Sequence, residues 1–74
     1  MPAAQNPFLK KLGTRIKQLR TRKGLSQEAF ADLARLDRSY MSGIERGVRN
    51  VSVLNLLKIA RALDVSLVAL FDFE

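Results

Sequence analysis

One stretch of the sequence places basic and small polar residues on one side of a short predicted helix. Asp37 is a suitable cap for the start of this helix, and Gly47 is suited to end it. Its outer face would carry Arg38, Ser39, Ser42, Gly43 and Arg46. Guanidinium groups and hydroxyls can donate or accept hydrogen bonds at base edges and phosphates. The spacing therefore indicates a surface for nucleic acid.

A second short helix is predicted just before this one, across a turn of three residues. Ser26 is its N-cap, and Glu28 in the first turn favours the positive end of the helix dipole. Its predicted buried face consists of Phe30, Ala31, Leu33 and Ala34. The small Ala31 permits a close, steep crossing that presents the following helix to a major groove. A generic helical pair in a small bundle is the alternative.

Three motifs, in order, carry a resemblance to a known family. They are S-Q-E-x-F-A-x-x-A from Ser26, D-R-S-Y-M-S-G-I-E-R-G from Asp37, and I-A-R-A-L from Ile59. Together they resemble the lambda-repressor-like helix-turn-helix regulators of the xenobiotic-response-element type, over most of the chain. The extended motif D-R-S-Y-M-S-G-I-E-R-G-x-R-N is similar to the controller proteins of restriction–modification systems.

The resemblance implies an all-α fold, a compact five-helix lambda-repressor-like DNA-binding domain whose helices 2 and 3 form the helix-turn-helix. It implies a homodimeric transcription regulator that binds a palindromic operator and controls restriction–modification genes, including its own. A general phage- or plasmid-type repressor and an antitoxin-like protein-interaction module are the alternatives. RNA polymerase is a further candidate partner.

Site residues follow from the position of each residue in these motifs. Base reading is assigned to Arg38, Ser39, Ser42, Gly43 and Arg46, with Gly43 letting the helix sit deep in the groove. Backbone contacts are assigned to Gln27, Tyr40, Arg49, Asn50 and Lys17. The role of Gln27 comes from the family and from its place at a helix N-terminus. Tyr40 is open to two interpretations, a packed ring or a hydroxyl on phosphate.

Two further assignments concern how the helices are held. In the resembled family an arginine late in helix 1 pairs with a glutamate late in the recognition helix, and here these positions are Arg20 and Glu45. An exposed arginine is the alternative. In the turn, Arg35 stands where the family often has glycine. Arginine there either takes a positive φ, at roughly 1 kcal/mol of strain, or the turn is built differently.

The remaining helices follow from caps and apolar spacing. Helix 1 has Asn6 as cap and Pro7 in its first turn, and its stripe is Leu9, Leu12, Ile16 and Leu19. Ser52 caps helix 4, whose predicted core stripe is Val53, Leu56, Leu57, Ala60 and Leu63, with Leu54 and Ile59 beside it. Ser66 caps a last short helix. Residues 1–6 are expected to be a flexible leader and residues 7–74 a single domain.

The last helix is apolar around most of its circumference, which a monomer cannot bury completely. The predicted homodimer interface is Leu67, Val68, Phe71 and Phe73. A helix that simply plugs the core is the alternative. A two-fold dimer would set its recognition helices about 34 Å apart, one turn of DNA.

Composition limits the remaining classes of function. The 74 residues contain neither cysteine nor histidine, so thiolate or imidazole metal sites and histidine acid–base chemistry are excluded. No enzymatic activity, cofactor, metal, membrane contact or small-molecule ligand is expected, and the expected location is the cytoplasm. The net charge of +6 is unevenly distributed, because residues 1–50 hold +7 and residues 51–74 hold −1. Positive charge thus accompanies the predicted reading helices.

Overall fold

The computed structural model describes residues 6–74, which form four α-helices and a C-terminal 3-10 turn. The helices are α1 (Pro7–Arg22), α2 (Gln27–Ala34), α3 (Arg38–Arg46) and α4 (Val53–Leu63), and the 3-10 turn is Val68–Phe71. Residues 1–5 of the expected leader lie outside the described residues.

Short polar side chains fix the start of every α-helix. Asn6, Ser26, Asp37 and Ser52 have extended backbone conformations, and their side-chain oxygens accept hydrogen bonds from backbone N–H groups of the first turn. These bonds satisfy donors that have no partner inside the helix. All four caps agree with the sequence prediction, which is why the predicted and observed helix starts agree.

The predicted fifth α-helix is wrong, because the segment Val68–Phe71 is a 3-10 turn. Its backbone bonds span three residues, as in the bonds from Ala69 N to Ser66 O and from Leu70 N to Leu67 O. Four residues are too few to gain the repeated bonds that stabilise an α-helix. The turn is instead held by α1, where Arg15 Nε donates to Ala69 O at 3.0 Å.

Every element contributes to one core. Its largest fully buried side chains are Ile16, Phe30, Met41, Ile44, Ile59 and Leu70. Two predicted core positions are wrong, because Val53 is 65% exposed and Leu33 is 59% exposed, whereas Ile59 is fully buried. Ile59 lies on the α4 stripe of Leu56, Ala60 and Leu63, and Val53 and Leu33 are turned away from the centres of their stripes.

The turn between α2 and α3 contains arginine in the left-handed conformation. Arg35 has φ 57° and ψ 43°, and its N–H donates to Asp32 O. Leu36 N donates to Ala31 O, which completes the usual closing pattern of a helix. Of the two alternatives for this turn, the structure therefore has the strained one, with glycine-like geometry at an arginine.

Helices α1 and α3 touch through their backbones. A Cβ atom added to Gly13 would lie 2.6 Å from Glu45 O and still closer to Ile44 O. A Cβ on Gly47 would lie 2.5 Å from Lys10 Cα. A lone glycine inside a helical pattern, such as Gly13, is a recognisable sequence signal of close packing. This contact sets the distance of α3 from the rest of the protein.

We expect Gly13→Ala to lower the free energy of unfolding by about 1–3 kcal/mol, because the new methyl group meets backbone atoms that cannot rotate away. Urea denaturation measures the loss. The matched control is Thr14→Ala, an exposed position of the same helix, which should change stability by less than about 0.5 kcal/mol. Equal stability of the two variants would contradict a backbone contact at Gly13.

Candidate nucleic-acid interface

The outer face of α3 is polar because its inner face supplies the core. Met41 and Ile44 are buried, so the helix has a fixed orientation about its own axis. Gly47 ends it with φ 77°, a conformation that glycine takes without a Cβ penalty. The residues on the opposite side are thereby held away from the core.

Five of the predicted contact residues line one shallow depression between α2 and α3. The depression has a volume of about 300 Å³ and is lined by Gln27, Arg38, Ser39, Ser42 and Arg46. Arg38, Ser42 and Arg46 are four residues apart, so they form one row along the helix. The sequence-predicted row of α3 and the N-terminus of α2 are therefore adjacent in space.

The cap at the start of α3 also orients a candidate base-reading residue. Asp37 Oδ2 accepts hydrogen bonds from the Ser39 hydroxyl and, at 3.1 Å, from Tyr40 N. The Ser39 hydroxyl and then the Tyr40 N–H hold the pKa of the Asp37 carboxyl below its ordinary value, with a smaller contribution from the charge of Arg49. Since the single Ser39 proton is used in this bond, the Ser39 oxygen can only accept a hydrogen bond from a further partner.

A buried carboxylate connects α3 to both preceding helices. Arg20 Nε donates to Glu45 Oε2 at 2.7 Å, and Arg20 Nη2 donates to Glu45 Oε1 at 3.0 Å. The two side chains are 11% and 3% exposed, so this is the ion pair that the family resemblance implied. Gln27 Nε2 adds a bond to Glu45 Oε1 at 3.2 Å, and Arg20 Nη1 donates to Leu25 O. Glu45 thus orients the Gln27 side chain through the amide nitrogen, and the amide oxygen of Gln27 takes no part in this hydrogen bond.

Arg49 folds back along one flank of α3. Its guanidinium carbon lies 5.8 Å from the centre of the Tyr40 ring, within cation–π range. Its Cγ lies over Gly43, which is buried rather than part of the open surface. Tyr40 is fixed in turn from α4, because Asn55 Nδ2 donates to its hydroxyl at 3.1 Å. The Asn55 contact had no signal in the local sequence pattern.

Of the five predicted backbone contacts, Gln27 alone lines the depression. Tyr40 and Arg49 lie along a flank of α3, and the other two lie elsewhere. Lys17 is exposed on α1, one turn from both Gly13 and Arg20. Asn50 is exposed and lines a different depression, which includes Phe8 and Phe71. The predicted DNA residues therefore form a central group around α3 and two outlying positions.

Two of the residues predicted for dimerisation, Phe71 and Phe73, belong to a partly exposed aromatic cluster. The Phe8 ring lies 6.2 Å from that of Phe71 and 5.6 Å from that of Phe73, measured between ring centres. Phe8 is 51% exposed, Phe71 37% and Val68 78%, whereas Leu67 packs partly against the core. Phe8 is not among the residues that the sequence predicts for this surface, because α1 and residues 71–73 are brought together only by folding.

Within residues 6–74, no group of acidic residues is arranged to hold a metal ion. Among the helices described, none has the length and hydropathy needed to cross a membrane.

Known proteins are similar to this chain in sequence and in structure. A family model described as helix-turn-helix matches residues 16–70. The chain is 50% identical over 63 residues to control protein C.MunI of a Mycoplasma species, covering 84% of this chain and 85% of that protein. The structure is similar to the restriction–modification controller protein C.AhdI from Aeromonas hydrophila, with 59% identity, a TM-score of 0.84, and coverage of 85% and 96%.

A third similar structure contains DNA. It is the controller protein C.Esp1396I as a tetramer in complex with its natural 35 base-pair operator, and it is 41% identical to this chain. The TM-score is 0.84, and the match covers 92% of this chain and 90% of that one.

We expect Glu45→Gln to lower the free energy of unfolding by about 3–5 kcal/mol, because it leaves the buried Arg20 guanidinium without an opposite charge. The midpoint of urea denaturation reports the change, and the exposed Asp32→Asn on α2 is the control. A loss below about 1 kcal/mol would mean that the pair behaves like an exposed ion pair.

Proposed function

The chain belongs to the helix-turn-helix family, and we propose that it is a sequence-specific DNA-binding transcription regulator of the restriction–modification controller type. It binds a palindromic operator as a homodimer and regulates restriction–modification genes, including its own. Residues 7–74 act as one unit, and the protein works in the cytoplasm. No chemical step is part of this function, since the family consists of regulators that bind DNA.

The observation that carries the proposal is the depression lined by the α2 N-terminus and the outer row of α3. Met41 and Ile44 fix the rotation of α3 about its axis, so the positions that carry the guanidinium and hydroxyl groups stay on its outer side. Base discrimination requires such fixed positions, because a hydrogen-bond donor must lie opposite the base edge that it reads. The excess of positive charge in residues 1–50 supports the same partner.

Within this proposal, the base-reading residues are four polar residues of α3, namely Arg38, Ser39, Ser42 and Arg46. Ser42 is half-buried and the other three are exposed. Arg38 lies in the first turn of α3, the part of a recognition helix that usually reaches base edges. Contacts to the sugar–phosphate backbone come from Gln27, Tyr40, Arg49, Asn50 and Lys17. Such contacts fix the register and make affinity depend on salt.

The proposed dimer interface comprises Leu67, Val68, Phe71 and Phe73, extended by Phe8 of the same aromatic cluster. The exposed Phe8, Val68 and Phe71 side chains support association, because a grouped apolar surface commonly marks an interaction site. The operator-bound relative is a tetramer, which supports two dimers per operator here. RNA polymerase remains a predicted partner.

Selection from a random duplex pool tests the function. We expect enrichment of a palindrome whose half-sites lie about one helical turn apart. A parallel selection with Arg38→Ala should relax the preference at one base pair in each half-site, by roughly 1–3 kcal/mol of discrimination. DNA binding without enrichment of any sequence would mean that the surface contacts only phosphates. The absence of DNA binding would favour the antitoxin-like alternative.

Sedimentation tests the dimer. We expect Phe71→Asp to shift the protein to monomers, because a carboxylate would be buried in an apolar interface without a partner. The matched control is Leu33→Asp, which charges an exposed leucine on α2 and should leave the dimer intact. A dimer that persists in Phe71→Asp would place the interface elsewhere on the molecule.

A further inference from the structure

Gly43 lies at an unusual place for a glycine, in the middle of α3 and beneath another side chain. A mid-helix glycine lowers helix stability relative to alanine, so its presence needs a compensating contact. The sequence predicts that DNA approaches closely at this point. In the structure the space beside Gly43 is filled by the protein itself, since an added Cβ would lie 2.6 Å from Arg49 Cγ.

The Arg49 side chain has a defined course from that point. Its Nε would lie 3.4 Å from the same added Cβ, and its Cδ 3.6 Å, so the stem runs along Gly43. The guanidinium then reaches the Tyr40 ring, 5.8 Å from the ring centre. Tyr40 and Gly43 are three residues apart and share one flank of α3. The Asn55 bond to the Tyr40 hydroxyl keeps the ring in place.

We propose that Gly43 is a positioning residue that provides the seat for Arg49 and, with Tyr40, holds its guanidinium along the N-terminal half of α3 before DNA arrives. The inference rests on the proposed function and goes further, because it assigns the glycine to a side chain from the following loop instead of to close approach by DNA.

The physical consequence is a smaller entropy loss on binding. A free arginine side chain must be immobilised when it contacts DNA, whereas a seated one has already lost most of its rotamer freedom. Releasing Arg49 from its seat should therefore weaken specific binding by roughly 2- to 10-fold, the range that corresponds to ordering one long side chain.

A double-mutant cycle on the selected operator tests the assignment. Gly43→Ala pushes Arg49 aside, because the contacted atom belongs to a flexible side chain, and the fold is retained since alanine favours a helix. We expect Gly43→Ala to weaken binding in the wild-type background and to have no further effect in the Arg49→Ala background. Equal losses in both backgrounds, or no loss in either, would overturn the proposal. Thermal unfolding of each variant checks the fold.

Nuclear magnetic resonance provides a second test of the Gly43–Arg49 contact that does not depend on DNA. Ring-current shifts on the Arg49 methylene protons report the Tyr40 contact, and comparison with Tyr40→Leu separates the effect of this ring from that of the four phenylalanines. Those shifts should be present in wild type and in Tyr40→Phe, and lost in Gly43→Ala and Tyr40→Leu. Their survival in Gly43→Ala would overturn the proposal. A wild-type protein that shows the shifts and fails to select an operator would instead refute only the proposed function.

Discussion

The position of α3 depends on one buried carboxylate that the helix itself contributes. Glu45 accepts two hydrogen bonds from Arg20 of α1 and one from Gln27 of α2. A buried carboxylate is stable only when its oxygens are bonded and its charge is balanced, and both conditions are met here. Because this interaction lies behind the outer row of α3, it fixes the helix without using any exposed residue of that row.

Glycines determine how closely other groups approach α3. Gly13 and Gly47 let the backbones of α1 and α3 touch, and Gly43 makes room for the Arg49 stem. In each case a methyl group would collide with a neighbour, yet the consequences differ. Backbone neighbours cannot yield, whereas an arginine stem can rotate away. The first two glycines therefore govern the stability of the domain, and the third governs the placement of one charged side chain.

The molecule separates two kinds of surface. Basic and hydroxyl side chains surround α3, while the aromatic cluster of Phe8, Phe71 and Phe73 lies where α1 meets the chain end. The hydrogen bond from Arg15 Nε to Ala69 O joins the C-terminal 3-10 turn to α1. Helix α1 also contains Arg20, which binds Glu45 of α3. The segment proposed for dimerisation and the helix proposed for DNA reading are thus attached to the same rigid element, which would fix the separation of two recognition helices in a dimer.

The sequence by itself determined the features that depend on near neighbours along the chain. The four caps, the end of α3 at Gly47, and the outer row of α3 follow from contacts within about four residues, so local patterns suffice. The Arg20–Glu45 pair, 25 residues apart, became predictable only through a family resemblance that already contains tertiary knowledge.

Only the tertiary structure decided which apolar residues are buried and what each glycine contacts. Ile59 is core and Val53 is not, the chain end is a 3-10 turn, and Gly43 faces Arg49. Periodicity defines a stripe but not its centre, because the centre depends on the rotation of each helix against its neighbours. That rotation and the helix separations are fixed by non-local contacts, and a single sequence does not encode them in any local pattern.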